Sequence, residues 1–223
     1  MPGRRVARLI PLVATLVVMP GTALAHGPTE CTSGPTRLAS ADTPHAVDAH
    51  GDGSAYGAAF GNTADIIGAW VSGPSAWEDR ESTTPFAANI RVEALDRHPL
   101  LGRFYVVFDG ADSIPQWVRA EADNPDMQWR FGYGHLEGTT YVRDGATTGS
   151  ANSAAGTITI NIPSTILPAR PADGSAAALN LTEAESFLRL PQGVPGVTGN
   201  LLSVDVAAAD CAVTLYEAAP VVV

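Results

Sequence analysis

Residues 103–133 read RFYVVFDGADSIPQWVRAEADNPDMQWRFGY. Three runs in this stretch alternate with period 2. Phe104, Val106 and Phe108 alternate with Arg103, Tyr105, Val107 and Asp109; Val118, Ala120 and Ala122 alternate with Trp117, Arg119 and Glu121; Met127, Trp129, Phe131 and Tyr133 alternate with Gln128, Arg130 and Gly132. Successive strand side chains point to opposite faces, so this is the pattern of three half-buried strands. Asp123-Asn124-Pro125-Asp126 supplies a turn between the second and third. A three-strand meander follows, with Phe108 facing Val118, Val106 facing Ala120 and Phe104 facing Ala122. On its other side Ala122 faces Met127, Ala120 faces Trp129 and Val118 faces Phe131. Large residues then lie opposite small ones, as a close-packed core requires. A slip of one residue would put Trp129 and Phe131 in water.

Outward from the meander the same period recurs. Phe86, Ala88, Ile90, Val92 and Ala94 form one stripe, Ile158, Ile160 and Ile162 another, and Leu202, Val204, Val206 and Ala208 a third. Asp144-Gly145 reads as a further turn. Strands this closely spaced predict an all-β fold, a single antiparallel β-sandwich of jelly-roll or immunoglobulin-like type. One short helix is expected. Thr182 and Glu185 match a capping box, Ala184, Phe187, Leu188 and Leu190 follow, and Pro191 ends the run. The domain layout predicted is a leader over 1–25, an irregular segment over 26–64 with room for one short strand, and the sandwich over 65–223.

The leader has three parts. Arg4, Arg5 and Arg8 make a positive end, Leu9 to Met19 an apolar core, and Ala23-Leu24-Ala25 a small-residue cleavage site. The apolar run is too short for a stop-transfer helix. These features predict a secreted, extracellular chain with no membrane span in its mature form; the alternative is a retained anchor. All 13 basic residues are Arg, which with abundant Ala, Gly and Pro points to a GC-rich bacterial genome. Three of those Arg lie in the leader, so the mature chain sets 10 basic against 23 acidic side chains, a formal charge of −13. That balance argues against a nucleic-acid partner and against anionic lipid. Export places Cys31 and Cys211 in an oxidising compartment, where they pair most simply with each other. Such a bridge closes a loop of 180 residues, for which chain entropy gives at most about 5 kcal/mol. The alternative is two free thiols available to a metal.

Sequence signatures of catalysis are missing: there is no H-E-x-x-H, no G-x-S-x-G and no P-loop. Gly132-x-Gly134 lies in a hairpin, not at a strand-to-helix turn, and is no dinucleotide loop. Asp48-Ala49-His50-Gly51-Asp52-Gly53 matches the first half of a calcium loop, with Asp65 able to close it from a distance. Its twelfth position, residue 59, is Ala rather than an acid. The expectation is no cofactor, with a turn in which Asp48 and Asp52 bond the backbone as the leading reading and calcium at Asp48, Asp52 and Asp65 as the alternative. Cleavage after Ala25 would make His26 the first residue, and an amine beside an imidazole chelates copper. A small copper-dependent oxidative enzyme would need a second His, for which His98 and His135 are the candidates, each read as a loop residue. Trp117, Arg119 and Glu121 share the polar face of the meander and are the candidate ligand-binding set. Aromatic faces stack on sugar rings; the competing role for Trp117 is to cover Gly132 on the neighbouring strand.

The order of features also resembles that of a recurrent secreted actinobacterial β-sandwich module. Its marks are Asp48 with Gly51 and Asp52, then Asp65-Ile66, then Tyr105-Val106-Val107-Phe108-Asp109, then Phe131-Gly132-Tyr133-Gly134. Such modules are distantly similar to DOMON-like and carbohydrate-module sandwiches. The resemblance covers about residues 48–208 and carries over no catalytic residue and no haem ligand. The module's role is uncharacterised, and the functional expectation for this chain is a non-catalytic extracellular sandwich that binds a ligand, a glycan or another exported protein. The copper enzyme at His26 is the alternative.

Overall fold

A computed structural model describes residues 46–47, 64–73, 85–95, 102–109, 114–122, 128–169, 172, 175, 177–189 and 201–216. The meander is present as β4 (Gly102–Asp109), β5 (Pro115–Glu121) and β6 (Arg130–Glu137). Its faces are those expected, but its register is displaced by two residues at both pairings. Val106 faces Val118 and Phe104 faces Ala120; Ala120 then faces Phe131 and Val118 faces Tyr133. A two-residue shift returns every side chain to its own face, so alternation cannot detect it. Large still meets small along the row Phe104–Ala120–Phe131. Trp129 consequently falls before β6, half-buried, with its ring 6.1 Å from that of Phe104.

The chain leaves β6 through a two-residue loop into β7 (Thr140–Ala146). Gly138 opens that loop with φ 62°, a left-handed conformation that favours glycine. The turn expected at Asp144-Gly145 is therefore displaced, and those two residues lie within β7. There Gly145 sits under the Tyr133 ring at a register shift. Two long strands complete this sheet, β10 (Ala177–Arg189) and β11 (Leu201–Tyr216), giving the order β11-β10-β4-β5-β6-β7.

The expected helix is corrected by β10. Glu183, Glu185 and Phe187 line one face of this strand while Ala184 and Ser186 line the other. The period is 2, and β10 pairs with both β4 and β11. A two-turn helix is marginal on its own. The strand gains a ladder on each side, and that decides the outcome.

The second sheet has the order β1-β2-β3-β9-β8, with β1 (Ala46–Val47), β2 (Ile66–Ser72), β3 (Ala87–Val92), β8 (Gly149–Asn152) and β9 (Thr157–Asn161). All pairings in both sheets are antiparallel. The two sheets pack face to face as an all-β sandwich. Ile66, Val71, Ile90, Ile158 and Ile160 on one side meet Phe104, Val106, Phe108, Val118 and Leu181 on the other. Polar ties fix one end of this packing. Ser186 Oγ donates to the Ala64 carbonyl at 2.6 Å, and Asp205 Oδ2 accepts from the Ile66 N–H at 2.6 Å. Ser186 and Asp205 face each other across β10 and β11, so a hydroxyl and a carboxylate from one sheet hold the backbone that enters β2 in the other. Among the described residues no helix is long and apolar enough to cross a membrane.

Candidate functional site

The face of the six-stranded sheet turned away from the sandwich core carries Arg103, Tyr105 and Val107 from β4, and Trp117, Arg119 and Glu121 from β5. From β10 it carries Glu183, Glu185 and Phe187, as the register dictates. An outer face of this kind ordinarily meets water. Here Trp117 is 0 % exposed, Tyr105 2 %, Glu121 7 % and Arg119 8 %.

The β6–β7 hairpin curls over this face. Strands β7 and β10 are separated by β6, β5 and β4. Four spacings of about 4.8 Å would set them about 19 Å apart in a flat sheet. Yet the Tyr141 hydroxyl on β7 donates to Glu185 Oε2 on β10 at 2.5 Å. The Tyr141 ring lies 4.2 Å from that of Tyr105 and 6.2 Å from that of Phe187. The sheet is rolled into a trough whose floor, Tyr105 and Trp117, is covered by Leu136, Tyr141 and Phe187.

Glycine permits the roll. Gly134 faces Trp117 and Gly132 faces Arg119. A Cβ on Gly134 would stand 1.9 Å from the Val142 carbonyl oxygen and 2.5 Å from the Trp117 ring. Indole over bare backbone is the arrangement expected for Trp117, but on Gly134 rather than Gly132, as the register displacement requires. The indole N–H donates to the His135 carbonyl at 2.9 Å, which fixes the ring.

Charge in the trough divides into two ends. At one, Arg119 donates from Nη1 to the Tyr105 hydroxyl at 3.3 Å and pairs through Nη2 with Glu121 Oε2 at 3.0 Å. Its guanidinium lies 5.5 Å from the Trp117 ring centroid and 5.7 Å from that of Tyr105, within cation–π range. Its Nε–H is buried and has no hydrogen-bond partner. Arg103 reaches the same Glu121 oxygen at 3.6 Å. Arg130 stands across from Glu121 in the ladder. Arg143 lies over Gly132, its Nε 3.3 Å from where a Cβ would be, and donates to the Gly145 carbonyl.

At the other end Glu183 and Glu185 lie two residues apart on the same face of β10. Burial, then the charge of Glu185 and the hydrogen bond to it, push Glu183 up to about 7. Burial and the Glu185 carboxylate also push the Tyr141 phenol up, so Tyr141 remains a donor. Outside the trough, His135 Nδ1 lies 2.8 Å from Asp144 and Nε2 3.5 Å from Glu137. The Asp144 hydrogen bond raises the imidazole above its usual range.

Trp117, Arg119 and Glu121 are thus brought together. Tyr105, Tyr141, Phe187, the two Glu and the outer Arg were not read as part of this site. The usable signal was Gly132-x-Gly134 opposite Trp117 and Arg119. Of the calcium candidates, Asp65 is buried directly before β2, where its carbonyl accepts the Glu93 N–H at 3.0 Å; Asp48 and Asp52 lie outside the described residues. Among the described residues no three His, Cys, Asp or Glu side chains converge as a metal site. His26 and His98 also lie outside them, while His135, read as a loop residue, lies in β6. Cys31 is outside as well, and for Cys211 the backbone alone is placed, opposite Leu181. Comparison of the chain with protein-family models, curated proteins and solved structures found no match.

Proposed function

We propose that this chain is a secreted, non-catalytic β-sandwich module that binds an extracellular ligand, glycan or exported protein in the trough on its six-stranded sheet. The supporting observation is Arg119. A guanidinium more than nine-tenths buried is held between two aromatic rings and a carboxylate, yet keeps one N–H unpaired. A buried donor left unmatched costs about 1–3 kcal/mol. Because that nitrogen is closed to solvent, a ligand acceptor would recover this only once the side chains that cover it part. The leader over 1–25 and a Cys31–Cys211 bridge belong to the same reading, because they would deliver and staple such a module outside the cell.

The test is retention of the mature chain on a panel of immobilised extracellular polysaccharides, with Arg119→Met and Glu121→Gln beside the wild type. The reading predicts at least one ligand retained by the wild type and lost by both variants at unchanged circular dichroism. Retention indifferent to both substitutions would move the site elsewhere; no retention on any surface would count against a glycan ligand. Mass spectrometry of the secreted protein should show a start at His26 and one Cys31–Cys211 crosslink.

A further inference from the structure

We propose that the β6–β7 hairpin is a proton-controlled cover over the trough, latched where Tyr141 meets the Glu183–Glu185 pair and released when both carboxyls are ionised. Its role as a regulator of access rests on the binding reading above.

The cover is thin and hinged. β7 is the edge strand of its sheet, with β6 as its ladder partner, and none of its residues is fully buried. Leu136 and Tyr141, opposite each other across the hairpin, are what it lays over Tyr105, Val107 and Trp117. An element with so little buried apolar contact opens at a smaller cost than the whole fold. Gly132 and Gly134 lie at its base. The β6–β7 register shifts between Tyr133 and Gly134, which leaves Asp144 as the extra residue of β7. A bulge of this kind bends its strand. His135 holds it, with Nδ1 2.8 Å from Asp144.

The latch carries a proton. The Tyr141 hydroxyl donates to Glu185 Oε2 at 2.5 Å, and the Glu183 carboxyl is hydrogen-bonded to Glu185 as well. An ionised carboxylate only accepts, so the second bond exists only while one of the two acids keeps its proton. No ladder partner of either is a cation. Glu183 stands opposite Val107 on β4 and Ala208 on β11, and Glu185 opposite Tyr105 and Val206. The register shift beside Glu183 takes in Asp210, a further acid, and Arg189 ends β10 opposite Leu201. On the trough floor Arg119 bonds Tyr105 and Glu121, and Arg103 reaches Glu121. Ionising Glu183 therefore sets two carboxylates side by side beneath an apolar cover. Parting the cover admits the water that relieves them.

Two groups give the movement the same sign. With the cover shut, burial and then the Glu185 charge push Glu183 from its ordinary 4.5 up to about 7; in water it returns toward the ordinary value. Closure is thus fully favoured below about 4.5 and weakens as pH rises through about 7. His135 is raised above its ordinary 6.5, first by the Asp144 hydrogen bond and also by Glu137. Its hold on the bulge is complete below 6.5 and is lost as pH passes its raised value. Across the ladders His135 faces Gln116 and Val142, neither of them charged. In acid the trough is shut. Near and above neutrality Trp117, Tyr105 and the enclosed Arg119 Nε–H come within reach of a ligand.

The Trp117 indole N–H reports the movement, because its acceptor, the His135 carbonyl, lies on the cover. Its hydrogen exchange is measured by NMR in the mature protein at about pH 4.5 and about pH 8, on either side of the Glu183 transition. Each rate is normalised to free tryptophan at the same pH, and the amides of Ile158 and Ile160 in β9 report global unfolding. Indole protection should fall at least about tenfold at the higher pH, the linkage expected of a partly exposed Glu183. At both values it should stay below that of the two Ile amides. Glu183→Gln should abolish the fall. Tyr141→Phe should lower protection in acid at least about fivefold, through loss of the latch. Protection independent of pH, a fall that persists undiminished in Glu183→Gln, or an indole as protected as Ile158 and Ile160 at both values overturns the cover. Unchanged protection in Tyr141→Phe overturns the latch. None of these results depends on a ligand. A silent polysaccharide panel beside the expected exchange removes the binding reading and leaves the movement; retention on the panel beside a contrary exchange result does the reverse.

Discussion

The two faces of the six-stranded sheet are both buried, but by different means. The inner face carries Phe104, Val106, Phe108, Val118 and Ala120, covered by the other sheet in ordinary sandwich packing. The outer face carries Tyr105, Val107 and Trp117, covered by Leu136, Tyr141 and Phe187 of the same sheet. Apolar contact covers most of the first, with Ser186 and Asp205 bonded to the other sheet's backbone at one end. The second mixes rings with Arg119, Glu121, Glu183 and Glu185, and its polar groups are held by one another. The difference teaches that a strand's polar-looking face is not thereby a wet one. Two glycines in the neighbouring strand let the sheet fold onto itself, and the residues beneath become a small second core with charge built in.

If both faces are cores, truncation should be costly on each. Trp117→Ala and Phe104→Ala should each destabilise by about 3–5 kcal/mol in denaturant unfolding, the range for buried aromatics. A cost below about 1 kcal/mol for Trp117→Ala alone would return the outer face to the surface. Glycine is the next lever. Gly134→Ala places a Cβ against the Val142 carbonyl oxygen and the Trp117 ring, and should cost about 1–3 kcal/mol by overpacking. The same change at Gly138 meets no atom within 4 Å and tests only its positive φ, which sharpens the contrast between crowding and backbone strain.

The hydrogen bond that closes the trough is a smaller effect. Tyr141→Phe should cost about 1.5–3 kcal/mol, as for a bond to a charged acceptor. In a double-mutant cycle with Glu185→Gln the two changes should couple, since they remove one interaction. The smallest effect is in pH dependence. Glu183 stands at about 7 in the fold against its ordinary 4.5. The fold prefers its protonated form, so stability should decline as pH rises from about 4.5 to about 7 and level off above. Glu183→Gln should flatten that decline.

Much of this was legible in the chain. Alternation placed Phe104, Val106, Phe108, Val118 and Ala120 on one face and Trp117, Arg119 and Glu121 on the other, and the structure keeps both sets. It could not fix the register, because a shift of two preserves both faces, and so Trp117 was set over Gly132 instead of Gly134. It also could not show that Thr182–Arg189 is a strand. Ala184, Phe187 and Leu188 fit a helical spacing, while the ladders on both sides that favour β10 come from β4 and β11, distant in sequence. The trough was invisible for a related reason. Tyr141 and Glu185 are 44 residues apart, and only the curl of the whole sheet brings them into contact.

That curl is the central claim, and proton–proton distances report on it directly. In an NMR spectrum of the mature protein, the Tyr141 ring should show nuclear Overhauser contacts to the rings of both Tyr105 and Phe187, whose centroids lie 4.2 and 6.2 Å away. A flat sheet would hold β7 and β10 about 19 Å apart. Contacts from Tyr141 to β6 alone, with none to Tyr105 or Phe187, would contradict the trough and every function assigned to it.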